Sequence, residues 1–190
     1  DQNFRYELRP SDWDTAMSVF TSHQAQVLMG SIASSQERID GGWFFSHSFY
    51  NGVTQSMAME PSSDTNTLED LAGKAVAVVS GTLGAAYAES VKDKYGFSIA
   101  TFSDSHSMYA AVLKGRAAAC FEDTPALRDS IAGGVALELV PGSEGAASDY
   151  CVAICDEKDR PFLELFNQGL ANIRANGIYD AILAKYADTL

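Results

Sequence analysis

Arg38 is the one arginine in a stretch of small, hydroxyl-bearing and aromatic residues, 30–50 (GSIASSQERIDGGWFFSHSFY). The stretch leaves an apolar run at 27–29 through Gly30 and Ser31, and an aromatic block, Trp43 to Phe45, follows the arginine. A planar guanidinium fork beside the free backbone N–H groups and serine hydroxyls of a tight turn is a good receptor for a carboxylate. The alternative is an ordinary surface arginine in a turn. A second anion receptor is offered by residues 80–84 (SGTLG), which stand between an apolar run and a helical pattern. The open N–H groups and the dipole of a first helical turn favour negative charge there. The Gly-Lys-Ser/Thr ending of a phosphate loop is missing, so phosphate is not implied, and a plain strand-to-helix turn is the competing reading. Opposite in sign are Glu122 and Asp123, at the end of a short apolar run where open α/β sheets bind ligands. A carboxylate there could hold an ammonium group, or Asp123 could cap the helix that Pro125 opens, or both.

Catalytic chemistry finds little footing. His23, His47 and His106 are scattered, no Gly-x-Ser-x-Gly elbow occurs, and no His/Cys spacing suits a metal. The cysteines, Cys120, Cys151 and Cys155, are odd in number. The last two share one strand face roughly 13 Å apart, too far for a disulfide, and read as small buried hydrophobes.

The elements that must position these groups alternate. Residues 4–8 alternate as a strand, and Ser11 or Asp12 caps a helix carrying Met17 and Phe20. Residues 26–30 read as a short strand, and 51–60 as an extended segment leaving this first layer. After the loop 61–67 a second α/β unit begins at Leu68: strand 75–80, a helix to about Lys94, strand 97–101, and a helix from Asp104 to Gly115. Strand 117–122, the Pro125 helix and strand 137–140 follow. Residues 142–147 (GSEGAA) read as a flexible connector, 150–155 as a strand, and 160–174 and 178–186 as closing helices. Helix and strand in alternation predict α/β layers with parallel pairing.

Composition bounds the class. With 46% hydrophobic residues the chain of 190 can bury a core, as one large domain or two small lobes. A net charge of −12 disfavours nucleic acid and anionic membranes, and no run is long and apolar enough to span a bilayer. No leader is visible before Asp1, and one is expected upstream.

Taken in order, these motifs resemble the type II periplasmic solute-binding proteins of the polar amino-acid family (family 3). Gly30, Ser31 and Arg38 match that family's carboxylate-binding turn. Residues 11–14 (SDWD) look like the stretch whose aromatic flanks the bound side chain, which puts that role on Trp13. Residues 68–82 resemble the strand entering the second lobe, whose helix N-terminus, here Thr82 and Leu83, also touches the carboxylate. FEDTP, 121–125, matches the motif whose aspartate binds the α-ammonium, hence Asp123, with Glu122 beside it in the ligand set. Three positions depart: Ala33 for a usual Ser or Thr, Leu83 for Gly or Thr, and Gln26 for Asp. The family's first strand and first helix have no counterpart.

The resemblance implies a two-lobed α/β fold with two hinge crossings: lobe one, incomplete, from 1–51 and 150–190, and lobe two from 52–149. An amino acid or small carboxylate would sit between the lobes, with no cofactor, no metal and no reaction. The partner would be an ABC permease, and the place the periplasm or cell exterior. A sensor domain of a membrane receptor, or an enzyme like cyclohexadienyl dehydratase using Glu122 as its acid, are the alternatives. An unpaired edge at residues 4–8 would invite self-association through lobe one.

Overall fold

The computed structural model describes residues 5–186. The first elements build a small layer. Helix α1 (Trp13–Thr21) starts at Asp12, whose carboxylate accepts from the Thr15 backbone N–H at 2.8 Å and its hydroxyl at 2.9 Å. It buries Phe20, which meets the Trp43 ring edge-on at 4.8 Å. A short helix α2 (Gln36–Asp40) is capped by the Ser35 hydroxyl and leads to strand β1 (Phe44–Phe45).

From there the chain leaves the small layer, as expected, in the extended strand β2 (Tyr50–Met59), which pairs inside a six-stranded sheet. Strand β3 (Ala75–Val79) runs into helix α3 (Leu83–Tyr95), and strand β4 (Ser98–Phe102) into helix α4 (Ser105–Leu113). Strand β5 (Ala119–Asp123) passes without a loop into helix α5 (Thr124–Ala132), with Pro125 in its first turn. Short β6 (Glu138–Leu139) and strand β7 (Gly145–Tyr150) complete the sheet, whose order is β4-β3-β5-β2-β6, with β7 also on β2. Pairing among β4, β3 and β5 is parallel, while β2 runs against β5, β6 and β7. Strand alternation splits the core: Val76, Val78 and Phe121 pack with α3 residues on one face, and Ala77, Val79, Met108 and Leu127 pack on the other.

The chain then returns through strand β8 (Ala153–Ile154), which pairs with β1 in a two-stranded sheet, and closes with helices α6 (Arg160–Ala175) and α7 (Ile178–Lys185). Leu163 and Phe166 of α6 pack on Val152 and Ile154. The two crossings lie side by side, with Tyr50 opposite Tyr150 and Val53 opposite Ser148, and register shifts between the paired positions. The Asp149 carboxylate fastens them, accepting from the Asn51 amide at 2.8 Å and the Gly52 N–H at 2.9 Å.

Three expectations change. Residues 5–8 form no strand, and residue 4 lies outside the described residues; an alternating pattern makes a strand only where a partner edge supplies hydrogen bonds. Residues 26–30 yield one bridge, Leu28 to Ala153, for the same reason. The stretch 142–147 is not a free connector: from Gly145 it is β7, paired with β2. Backbone pairing there overrides a turn-like composition.

Candidate functional site

The turn after β3 is where the small layer touches the large sheet. The Trp13 indole N–H, at the start of α1, donates to the Ser80 carbonyl at 3.1 Å. Next to it, Arg38 donates from Nη2 to the Gly81 carbonyl at 3.1 Å, and from Nη1 to the Ala33 carbonyl of its own turn at 2.6 Å. Its guanidinium lies 5.4 Å from the Trp43 ring and 6.0 Å from the Trp13 ring. Burial lowers its pKa, and the nearby Glu37 and Asp123 charges oppose that. Among the described residues no carboxylate forms an ion pair with it.

Beneath these contacts is a cavity of about 50 Å³. Trp13, Ser31 and Arg38 line it from the small layer. Thr82, Leu83 and Gly84, the start of α3, and Glu122 and Asp123, the end of β5, line it from the large sheet. Seven of the sequence-named residues therefore meet at one place. Gly30 does not: it turns the chain nearby at φ +152° and is exposed. Gly84 is present because α3 starts hard against β5. A Cβ there would lie 2.6 Å from the Phe121 carbonyl oxygen. The Thr82 hydroxyl caps α3 by accepting from the Ala85 N–H at 3.2 Å.

The two acids are held on different sides of β5. The buried Asp123 makes no side-chain cap to α5; it accepts from the Gln55 amide at 2.5 Å and from the Tyr150 hydroxyl. Burial pushes its pKa up, while Tyr150, Gln55 and the Arg38 charge work against the rise. Burial, and then the Asp123 charge, push Tyr150 up in turn. Glu122 accepts from the Ser105 hydroxyl at 2.7 Å and from the Tyr109 hydroxyl, which also meets Ser130 at 3.1 Å. Its pKa is likewise raised by burial, against those two hydroxyls.

Sequence reasoning missed Gln55, Tyr150, Tyr109 and Ser105, the residues that hold the acids. A polar Gln55 inside the run 53–59 (VTQSMAM) was the available signal, since a buried amide needs a partner. The histidines stay apart from the cavity, and among the described residues no cluster of His, Cys, Asp and Glu could hold a metal. The cysteines are free; Cys120 and Cys151 are buried as expected, and Cys155 is half-buried. A larger hollow of about 480 Å³ opens at the other end of the sheet, by Ala75 and Ala118, away from the carboxyl ends of the strands. Lys74 within it is already tied to Asp64 and Thr65, each at 2.9 Å.

The geometry is that of two α/β layers meeting through polar contacts around a small cavity, and comparison with known proteins agrees. The lysine/arginine/ornithine-binding periplasmic protein of Escherichia coli K12 is 25% identical over 194 residues, covering 94% of this chain and 70% of that protein. The second substrate-binding domain of a putative amino acid ABC transporter from Streptococcus pneumoniae is 33% identical, with a TM-score of 0.59, over 92% of this chain and 78% of that one. A mutant of ArgBP from T. maritima superposes at a TM-score of 0.79 over 95% of this chain and 76% of its own, at 24% identity, which supports the two-lobed fold. No helix among the described residues is long and apolar enough to cross a membrane. The profile of the bacterial extracellular solute-binding proteins, family 3, matches residues 1–189, and the chain belongs to that family.

Proposed function

We propose that this chain is the solute-binding component of an ABC uptake transporter and holds an α-amino acid, or a related small carboxylate, between its lobes. The observation that carries the reading is a half-buried arginine that forms no ion pair among the described residues, facing a helix N-terminus and a buried aspartate around one cavity. Arg38 and the first turn of α3 would take the carboxylate, and Asp123 the ammonium. Lobe one, 1–51 and 150–190, supplies the arginine, and lobe two, 52–149, supplies the rest.

A cavity of about 50 Å³ is too small for an amino acid as it stands. The Trp13–Ser80 and Arg38–Gly81 bonds are the ones that must release to admit it. A ligand then touches both lobes only when they close again, which is how binding drives closure. No reaction is part of this reading.

The test is a thermal-shift screen of the natural amino acids followed by calorimetry. A ligand at a hundredfold its Kd stabilises by about 2.7 kcal/mol. If no amino acid or small carboxylate shifts the melt, the reading fails. Turnover of prephenate or arogenate would replace it with an enzyme.

A further inference from the structure

An α-amino acid brings one carboxylate and one ammonium, which Arg38 and Asp123 balance one for one. Glu122 is left over. It lines the same cavity as both, and Arg38 is the one Lys or Arg that lines it with them. Its oxygens receive the Ser105 and Tyr109 hydroxyls, which orient the carboxylate without neutralising it. More acid stands close by. Asp12 precedes Trp13 and Asp104 precedes Ser105, one from each lobe; Thr15 lowers the Asp12 carboxyl, and the Asp104 charge opposes that lowering.

We propose that the cleft selects an amino acid whose side chain carries a cation, an ammonium or a guanidinium, and that Glu122 is its counter-charge. The inference rests on the amino-acid reading above. Burial raises the Glu122 pKa, so its ionised form is a charge held against desolvation, and a cation brought beside it relieves that cost. The Trp13 ring on the cavity wall offers the same cation a π face. A neutral side chain leaves Glu122 unbalanced, and an acidic one meets two carboxylates.

The test compares near-isosteric ligands differing in charge: arginine against citrulline, and lysine against norleucine, by calorimetry. The expected result is a preference for the cation of about tenfold or more, what about 1.4 kcal/mol of ion pairing gives. The cation's Kd should also rise more steeply with salt than its neutral analogue's. In Glu122→Gln the arginine-to-citrulline ratio should collapse toward one; should that variant not fold, the wild-type ratios and salt slopes decide. Equal affinity for citrulline, a preference for glutamate, or an unchanged ratio in Glu122→Gln overturns the proposal and leaves the amino-acid reading standing. Failure of every amino acid to bind overturns both.

Discussion

Replacing Arg38 by lysine separates what the guanidinium does for the fold from what it does for a ligand. Its two hydrogen bonds join different things: Nη1 reaches the Ala33 carbonyl within the turn at 2.6 Å, and Nη2 crosses to the Gly81 carbonyl at 3.1 Å. Lysine keeps the charge as a point and can serve one carbonyl, not both. Ala33 is buried and Gly81 exposed, so the ammonium should stay with Ala33 and leave Gly81 to water. Losing one charge-assisted hydrogen bond costs about 1.5–3 kcal/mol, and an exposed acceptor puts the ligand-free loss near the lower figure. Binding should suffer more sharply, because a carboxylate gripped by two parallel N–H groups loses one of them. The same range then appears as roughly 10- to 150-fold in Kd. Urea melts of the ligand-free variant give the first quantity, and calorimetry with the best ligand from the screen gives the second. Unchanged affinity in both Arg38→Lys and Arg38→Ala refutes the assignment. A shifted melt with unchanged affinity would mean that the guanidinium only ties the turn to the sheet.

In Asp123→Asn the fold should hold. The asparagine can keep the Tyr150 hydroxyl and, once the Gln55 amide turns, donate to the Gln55 Oε1 that is buried without a partner. Calorimetry should show ammonium recognition lost; retained binding with a lowered melt would make the carboxylate structural. Gly84→Ala forces a Cβ onto the Phe121 carbonyl and should cost about 1–3 kcal/mol in chemical melts, whereas Gly169→Ala, exposed in α6 with nothing within 4 Å, should gain about 0.5–1 kcal/mol. Glu122→Gln, without ligand, should melt higher than wild type at pH 7. The folded pKa of Glu122 is raised, so the wild type gains stability as pH falls through that value, and the difference should close toward pH 4 in melts across that range. A gap that widens on acidification contradicts the burial argument. Self-association through lobe one should show as a mass that rises with concentration in light scattering. With no strand at residues 5–8, the segment at which a second chain would pair is the one whose Leu28 bridges Ala153, where Met29 is 61% exposed. A constant monomer mass, with tight amino-acid binding, rules it out.

What could be read from the chain was whatever its residues settle locally. Asp12, Thr82 and Asp104 each cap the helix that follows, and Pro125 sits in the first turn of its own. Such signals need no tertiary partner. β7 could not be read, because Gly145, Ala146 and Ala147 carry no side-chain pattern and are strand only by pairing with β2. Residues 5–8 are the converse, a strand pattern without an edge to join. The site shows the same division. Trp13, Ser31, Arg38, Thr82, Leu83, Glu122 and Asp123 were legible as polar or exceptional residues at turns and strand ends, and Gly30 shared that signal without reaching the cavity. Their hydrogen-bond partners were not, since Gln55 lies 68 residues from Asp123 and Tyr150 lies 27 away.

The side-by-side crossings have a mechanical consequence. Two chains bonded edge to edge form a strap, stiff against stretch and in-plane shear and pliant across its thickness. The Asp149 bonds to Asn51 and Gly52 keep the two bands from sliding past each other. The register shifts near Val53 leave gaps in the ladder, and gaps are where a strap folds first. On the proposed two-lobe division, motion between the lobes should reduce to a single angle, a bend across the strap at the level of Val53 and Ser148. A spin label on each side of that line would report one distance that grows and shrinks, with little rotation about the long axis.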